Sequence, residues 1–216
     1  MSRRTRFAFK TVVWILCLLP LGVLGYRAVT GNLTPNPISF ITNWLGDWTF
    51  RLLLATLALT PLRVLFGISW QLTLRRLLGL FAFCYAFLHF LVWILLDHFF
   101  DWDQMLADIL KRRYITVGML ALALLVPLAV TSTSSMVKRL GGTNWRRLHR
   151  LLYVIGTLAA LHFLWLAKKG RTDQYLYAAT LALLLGIRVW DAIRRAGRKR
   201  RQAHAAGTSA LVPRSG

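Results

Sequence analysis

Residues 145–165 read WRRLHRLLYVIGTLAALHFLW. After a basic start the run is apolar for long enough to cross a bilayer, which takes ~20 such residues. It carries two histidines, His149 and His162, thirteen residues apart, or ~20 Å along an α-helix. One imidazole then sits near a membrane face and the other well inside the hydrocarbon. Ionisable side chains inside a span are costly and mark proton, ion or electron pathways. Neutral imidazole is also a common axial ligand of haem iron. A third histidine, His89, lies in another apolar run, RRLLGLFAFCYAFLHFLVWILLDH at 75–98. The expectation is a haem held between these two helices.

Composition agrees with a membrane chain. Of 216 residues, 56% are hydrophobic and 16% charged, a balance that excludes an ordinary soluble domain. Seven acidic residues, all Asp, against 28 Lys and Arg give a net charge of +21. That charge invites a nucleic-acid reading, but the basic residues flank apolar segments instead of forming a stripe on a folded domain. Cys17 and Cys84 lie in apolar runs with no CxxC or CxxCH pattern, so neither a disulfide nor covalent haem attachment is expected. Residues 207–216 contain LVPRSG and read as an expression-tag remnant.

Six spans are expected in an all-α bundle: about 7–29, 48–68, 77–96, 114–130, 148–167 and 175–193. The first is too long, and lacks the cleavage pattern, for a signal peptide. TGNLTPNPIS, at 30–39, reads as a loop, and Asp47 and Arg51 stand at i,i+4, able to pair. Between the third and fourth spans, Trp102, Met105, Leu106, Ile109 and Leu110 recur at helical spacing on one face. Asp101 leads this stretch and Lys111, Arg112 and Arg113 close it, as the helix dipole favours. It reads as a short helix lying in the membrane interface. The division is a terminus at 1–6, a transmembrane domain at 7–193 and a basic, disordered tail at 194–206.

Orientation follows from Lys and Arg. Eighteen gather on the side of the N-terminus, the 63–76 turn, the 138–150 region and the tail, against seven on the other side at Arg27, 111–113 and 168–171. Both termini are therefore expected in the cytoplasm. Spans three and five then run the same way. His89 lies twelve residues beyond Leu77 and His162 fourteen beyond Leu148, so their depths agree within ~3 Å. Two axial ligands of one haem require that agreement. The plainer alternative is two packing histidines, each hydrogen-bonded to a neighbouring helix.

His149 stands among Trp145, Arg146, Arg147 and Arg150 at the inner boundary. It reads either as an interfacial histidine or as the ligand of a second, inner haem. In the latter case Arg147 and Arg150, with Arg75 or Arg76, match propionates by their bidentate geometry. The position thirteen before His89 is Arg76, so the partner histidine of an inner haem is missing. An ideal helix also sets His149 and His162 ~140° apart in azimuth, which a distortion at Gly156 can relieve. His98, at a helix end, is expected to be exposed, and His204 lies in the tail. HExxH, GxSxG, P-loop and GxGxxG motifs are absent, which leaves peptidase, hydrolase, ATPase and dinucleotide-binding readings without support. A proton-coupled transporter calls for buried carboxylates, and each Asp falls at an interface or in a loop.

The segments LLLATLALTPLR, RRLLGLFAFCYAFLH and LAVTSTSSMVKRLGGTNWRRLHRLLYV, with ALHFLW after them, closely resemble the haem-binding membrane subunits of bacterial methionine sulfoxide reductase systems. These belong to the ferric-reductase-like transmembrane group, together with NADPH oxidases. The likeness spans nearly all of residues 7–193. It implies six helices, b-type haem, and electron delivery across the inner membrane to a periplasmic molybdopterin enzyme, MsrP, that reduces methionine sulfoxide in proteins. His89, His149 and His162 occupy the family's histidine positions. Flavin mononucleotide is associated with the family, although no flavin-binding motif is legible here. There is no room for a flavin and nicotinamide domain after span six, so electrons are expected from quinol or a separate flavin reductase. The alternatives are a stand-alone reductase of metal ions or oxygen and a membrane scaffold without redox chemistry.

Overall fold

A computed structural model describes residues 3–67, 74–166 and 172–210. Among them every regular element is helical: α1 (Arg3–Val29), α2 (Pro37–Phe66), α3 (Arg75–Val92), α4 (Trp102–Lys111), α5 (Arg113–Val130), α6 (Ser134–Leu140), α7 (Gly142–Leu148), α8 (Leu151–Trp165) and α9 (Asp173–Ala210). Six stretches are long and apolar enough to cross a membrane: Phe7–Val29, Pro37–Phe66, Arg75–Asp97, Arg113–Val130, Gly142–Trp165 and Asp173–Arg198. The expected six-span bundle is what forms. Large apolar side chains such as Trp14, Ile15, Leu19, Val189 and Ile193 stay exposed, as a lipid-facing surface requires. Lys168, Lys169 and Arg171, the end of span two at Ile68, and the tag-like 211–216 lie outside the described residues.

Contacts at both ends of each pair define the helix directions. Thr42 at the start of α2 meets His89 near the end of α3, while Arg75 at the start of α3 donates to Thr60 near the end of α2. Those two helices are antiparallel. The same holds for α5 and α8, joined by Tyr114 with His162 at one end and by Thr131 with Trp145 at the other. Trp14 packs on Phe81 and Cys17 O accepts from Tyr85 Oη, so α1 runs parallel to α3. It follows that α3 and α8 run the same way, as the count of spans requires, and both bring a histidine to the end of the bundle where α4 lies.

α2 begins eleven residues before the expected start at Trp48. The Asn36 side chain accepts from Ser39 N at 3.0 Å and Pro37 occupies the first helical turn, a paired start signal. The first turns are polar, so hydropathy alone passes over them. Thr42 and Thr49 return their hydroxyls to the carbonyls of Ile38 and Leu45, which lets polar residues ride within a helix. At the other end Gly67 adopts φ +69° and its N–H closes on Arg63 O at 3.0 Å, a left-handed cap that suits glycine.

The core centres on the middle of α2, where Leu57 has no exposure, against Ala82 and Tyr85, equally buried, and Ile155. Pro61 has no N–H to offer the Leu57 carbonyl, and Arg188 from α9 donates to that carbonyl instead. A second Nη of Arg188 bonds Tyr153 Oη at 2.8 Å. An arginine within a span is thus explained by a proline on another helix, because a bare carbonyl in hydrocarbon is costly. Cys17 and Cys84 are both free thiols, as their spacing implied.

Three expectations are corrected. Gly156 causes no distortion of α8; it is the crossing point where Leu57 and Leu181 approach, and an added Cβ would stand 3.2 Å from Leu57 Cδ1. The break falls earlier, at His149–Arg150 between α7 and α8. The basic tail is not disordered over its described length, since α9 runs on to Ala210. Its Arg, Lys, Ala and Gln are good helix formers extending an already nucleated helix. His98 is 7% exposed rather than solvent-facing. α3 ends in a wider π-type turn, Trp93–Asp97, followed by Phe99 and Phe100 at φ +48° and +64°. That strained reversal folds His98 back beneath α4, against Trp93 at 4.7 Å.

Candidate functional site

A cavity of about 290 Å³ opens between α2, α3, α5 and α8 at the α4 end of the bundle. Phe50, Leu53, Leu125, Ile155 and Phe163 make most of it apolar, while His89 and His162 face into it from different helices. Their ring centroids are 6.3 Å apart and the planes stand at 84°.

Each ring is fixed by one hydrogen bond. His89 Nδ1 lies 2.9 Å from Thr42 O, and His162 Nδ1 lies 2.6 Å from Tyr114 O. A carbonyl oxygen can only accept, so in both residues Nδ1 carries the hydrogen and donates it. The lone pair of each neutral imidazole is then on Nε2. A backbone carbonyl behind a histidine is the usual device for setting its tautomer and strengthening it as a metal ligand.

Two glycines let the rings sit where they do. A Cβ on Gly46 would lie 3.3 Å from His89 Cε1, and one on Gly118 would lie 2.8 Å from His162 Nδ1. The second distance is below any real contact, so α5 approaches His162 only because residue 118 has no side chain. Ala82, Ala86, Ala121 and Ala159 keep the remaining walls thin.

These residues fit the haem expected from the sequence. Two imidazoles on one iron, with ~2 Å bonds and each ring centre ~1.1 Å behind its nitrogen, put their centroids ~6.2 Å apart. The observed separation of 6.3 Å is of that size, so these two imidazoles would be spaced to hold a haem iron. The apolar lining suits a porphyrin, and Asp97, Arg112 and Tyr114 supply a polar end.

The other site residues read from the sequence lie elsewhere. His149 does not line this cavity. Its ring is half-buried, stacked on Trp145 at 4.0 Å, with Nε2 3.3 Å from Thr131 Oγ1. That hydroxyl already donates to Pro127 O at 2.6 Å, so it accepts from His149. In this arrangement Nε2 carries the hydrogen and Nδ1 the lone pair, the reverse of the other two histidines. Arg147 and Arg150 are exposed on either side of His149, and Arg76 is exposed at the start of α3. Arg75 donates to Thr60 Oγ1 at 2.7 Å and lies near Arg188, Tyr153 and Arg63.

Sequence reasoning missed the residues that hold the histidines, the Thr42 and Tyr114 carbonyls with Gly46 and Gly118, and the place of Arg112 in the cavity lining. A glycine inside an apolar helical run signals close approach, and Gly118 carried that signal. The carbonyls carried none, because every residue has one.

A family model described as Ferric reductase like transmembrane component matches residues 45–160. The protein-methionine-sulfoxide reductase heme-binding subunit MsrQ of Rhodospirillum rubrum is 51% identical over 186 residues, covering 86% of this chain and 89% of that protein. This chain belongs to the MsrQ family. The MsrQ proteins of Ralstonia nicotianae and Caulobacter vibrioides are 48% and 44% identical, over 85% and 87% of this chain. The span matched by the ferric-reductase model contains His89 and His149 and ends two residues before His162. The MsrQ relatives named here match 85–87% of this chain.

Proposed function

We propose that this chain is the haem-bearing electron-transfer subunit of a protein-methionine-sulfoxide reductase system, with His89 and His162 as the axial ligands of a b-type haem. The observation that carries this reading is the pair of imidazoles 6.3 Å apart, each with Nδ1 committed to a carbonyl. A haem so held supplies reversible one-electron chemistry. The Nδ1 hydrogen bonds leave both Nε2 lone pairs free for a ligand role, and Phe50, Leu53, Ile155 and Phe163 line the cavity with apolar surface that would exclude water. The relatives named above are heme-binding subunits, which supports the cofactor class.

A second haem at His149, flanked by Arg147 and Arg150, stays part of the proposal on narrower ground. For Nε2 to ligate iron there, the contact with Thr131 must open and the imidazole must exchange its tautomer. A reduced-minus-oxidised spectrum with haem-to-protein stoichiometry tests both parts. One tightly bound haem per chain is expected, the second being depleted on purification. A purified chain that binds no haem under any reconstitution sinks the reading.

The 18-to-7 basic asymmetry supports cytoplasmic termini in a bacterial inner membrane, and so places the α4 end at the periplasm. Reporter fusions after Gly31 and after Gly142 should then report opposite sides; the same side for both overturns this orientation. Electrons enter from quinol or a cytoplasmic flavin reductase and leave at the α4 end to the methionine-sulfoxide-reducing partner, MsrP. α4, with Trp102, Leu106 and Leu110 exposed, lies in the membrane interface. Of Asp103 and Asp108 on α4 and Asp101 at its N-cap, Asp101 and Asp103 are exposed for docking, while Asp108 is paired with Arg112 and lies against His98.

A further inference from the structure

We infer that Arg112 anchors the propionates of the haem assigned to the His89–His162 cavity, and that Asp108, held from behind by His98, positions it. This rests on the haem reading above and says which way round the macrocycle enters. A haem is apolar except for two carboxylates on one edge. In an apolar cavity that edge must go to the polar end, where hydrogen-bond donors can meet it. Asp97, Arg112 and Tyr114 form that end, and among the described residues Arg112 is the single Lys or Arg lining the cavity.

The guanidinium is held with donors to spare. Of its five N–H groups, Nε–H is directed at Asp108 Oδ1 at 3.1 Å, and one from Nη1 goes to Tyr114 Oη at 3.3 Å. The remaining three make a fork that suits a carboxylate.

Asp108 is built to position Arg112. Its Oδ2 lies 3.5 Å from His98 Nε2, while His98 Nδ1 lies 3.2 Å from Gln104 Oε1. His98 thus bonds Gln104 and stands close against Asp108 from the buried side, and α4 is pinned by its polar face to the turn that ends α3. The Arg112 backbone is extended between α4 and α5, with its N–H on Asp108 O at 2.9 Å. The whole knot sits at the join of the two helices, over the mouth of the cavity.

The test uses the full chain, purified and stripped of haem, titrated with ferric protoporphyrin IX or with its dimethyl ester, which cannot ionise at the propionates. A charge-assisted hydrogen bond predicts that the wild type binds the free acid roughly tenfold to a hundredfold more tightly than the ester. Arg112→Gln should abolish that preference, Asp108→Asn should weaken it, and Arg112→Lys should retain part. All complexes should keep a low-spin spectrum, because the histidines are untouched. Equal wild-type binding of the two porphyrins overturns the inference, and so does an undiminished preference in Arg112→Gln. Should Arg112→Gln fail to fold, the wild-type comparison and the Lys variant still decide. A chain that forms no low-spin complex with either porphyrin overturns the haem reading itself, a separate failure.

Discussion

His89→Ala and His162→Ala should each remove the low-spin haem spectrum entirely, while His149→Ala leaves that signal in place. Each substitution deletes one Nε2, and among the described residues no other histidine lines the cavity to replace it. The fold should survive. Neither ring bridges two polar side chains; each makes its one backbone hydrogen bond, typically worth about 1 kcal/mol net. The lost ligand can be separated from lost structure by adding free imidazole, which fits the space vacated and should restore a low-spin signal to either variant. An unchanged low-spin spectrum in both variants would show that iron is held elsewhere.

The second large effect is expected from the smallest change. Gly118→Ala adds one methyl group whose carbon would stand 2.8 Å from His162 Nδ1 and 3.0 Å from Cε1. Something must move, and the choices are the imidazole or the packing of α5 on α8. Either movement breaks the bond from Nδ1–H to the Tyr114 carbonyl, freeing the ring to turn and exchange its tautomer. Haem content should fall at least tenfold, nearly as far as in His162→Ala, by a loss of more than about 1.4 kcal/mol in binding. Gly46→Ala should be milder, since its Cβ meets His89 at 3.3 Å, a distance a small rotation can relieve. Alanine otherwise favours a helix over glycine by about 0.5–1 kcal/mol. A variant that unfolds no earlier than wild type yet binds little haem would therefore locate the defect at the histidine. Full haem incorporation in Gly118→Ala would mean that the close approach is not maintained in the membrane.

The two variants probe different kinds of information. A histidine in an apolar run is visible in the linear chain, and its depth is a count of residues multiplied by the helical rise. Twelve and fourteen residues from their span starts placed His89 and His162 at one level, and the structure brings their rings into one cavity. The six spans, the short α4 and the free cysteines were legible in the same way, because hydropathy and spacing are local.

What surrounds the rings is not local. Thr42 O is 47 residues from His89, and Tyr114 O is 48 residues from His162. Which carbonyl stands behind an imidazole depends on the azimuth and close approach of helices that sequence periodicity does not pair. The start of α2 was missed because its first turns are polar, and hydropathy measures burial in lipid rather than helicity. Those same turns carry Thr42 and Gly46. His98 read as exposed from its place at a helix end, yet two Phe residues at positive φ turn it beneath α4, where Asp108 and Gln104 hold it. The place of Arg188 within a span is likewise set by Pro61, on a different helix, which leaves the Leu57 carbonyl for it to satisfy. Sequence alone determined how deep each histidine lies, since depth along a helix axis is set by residue count. Tertiary structure alone decided which way each ring faces and which nitrogen is free, since those depend on hydrogen-bond partners brought in by other helices.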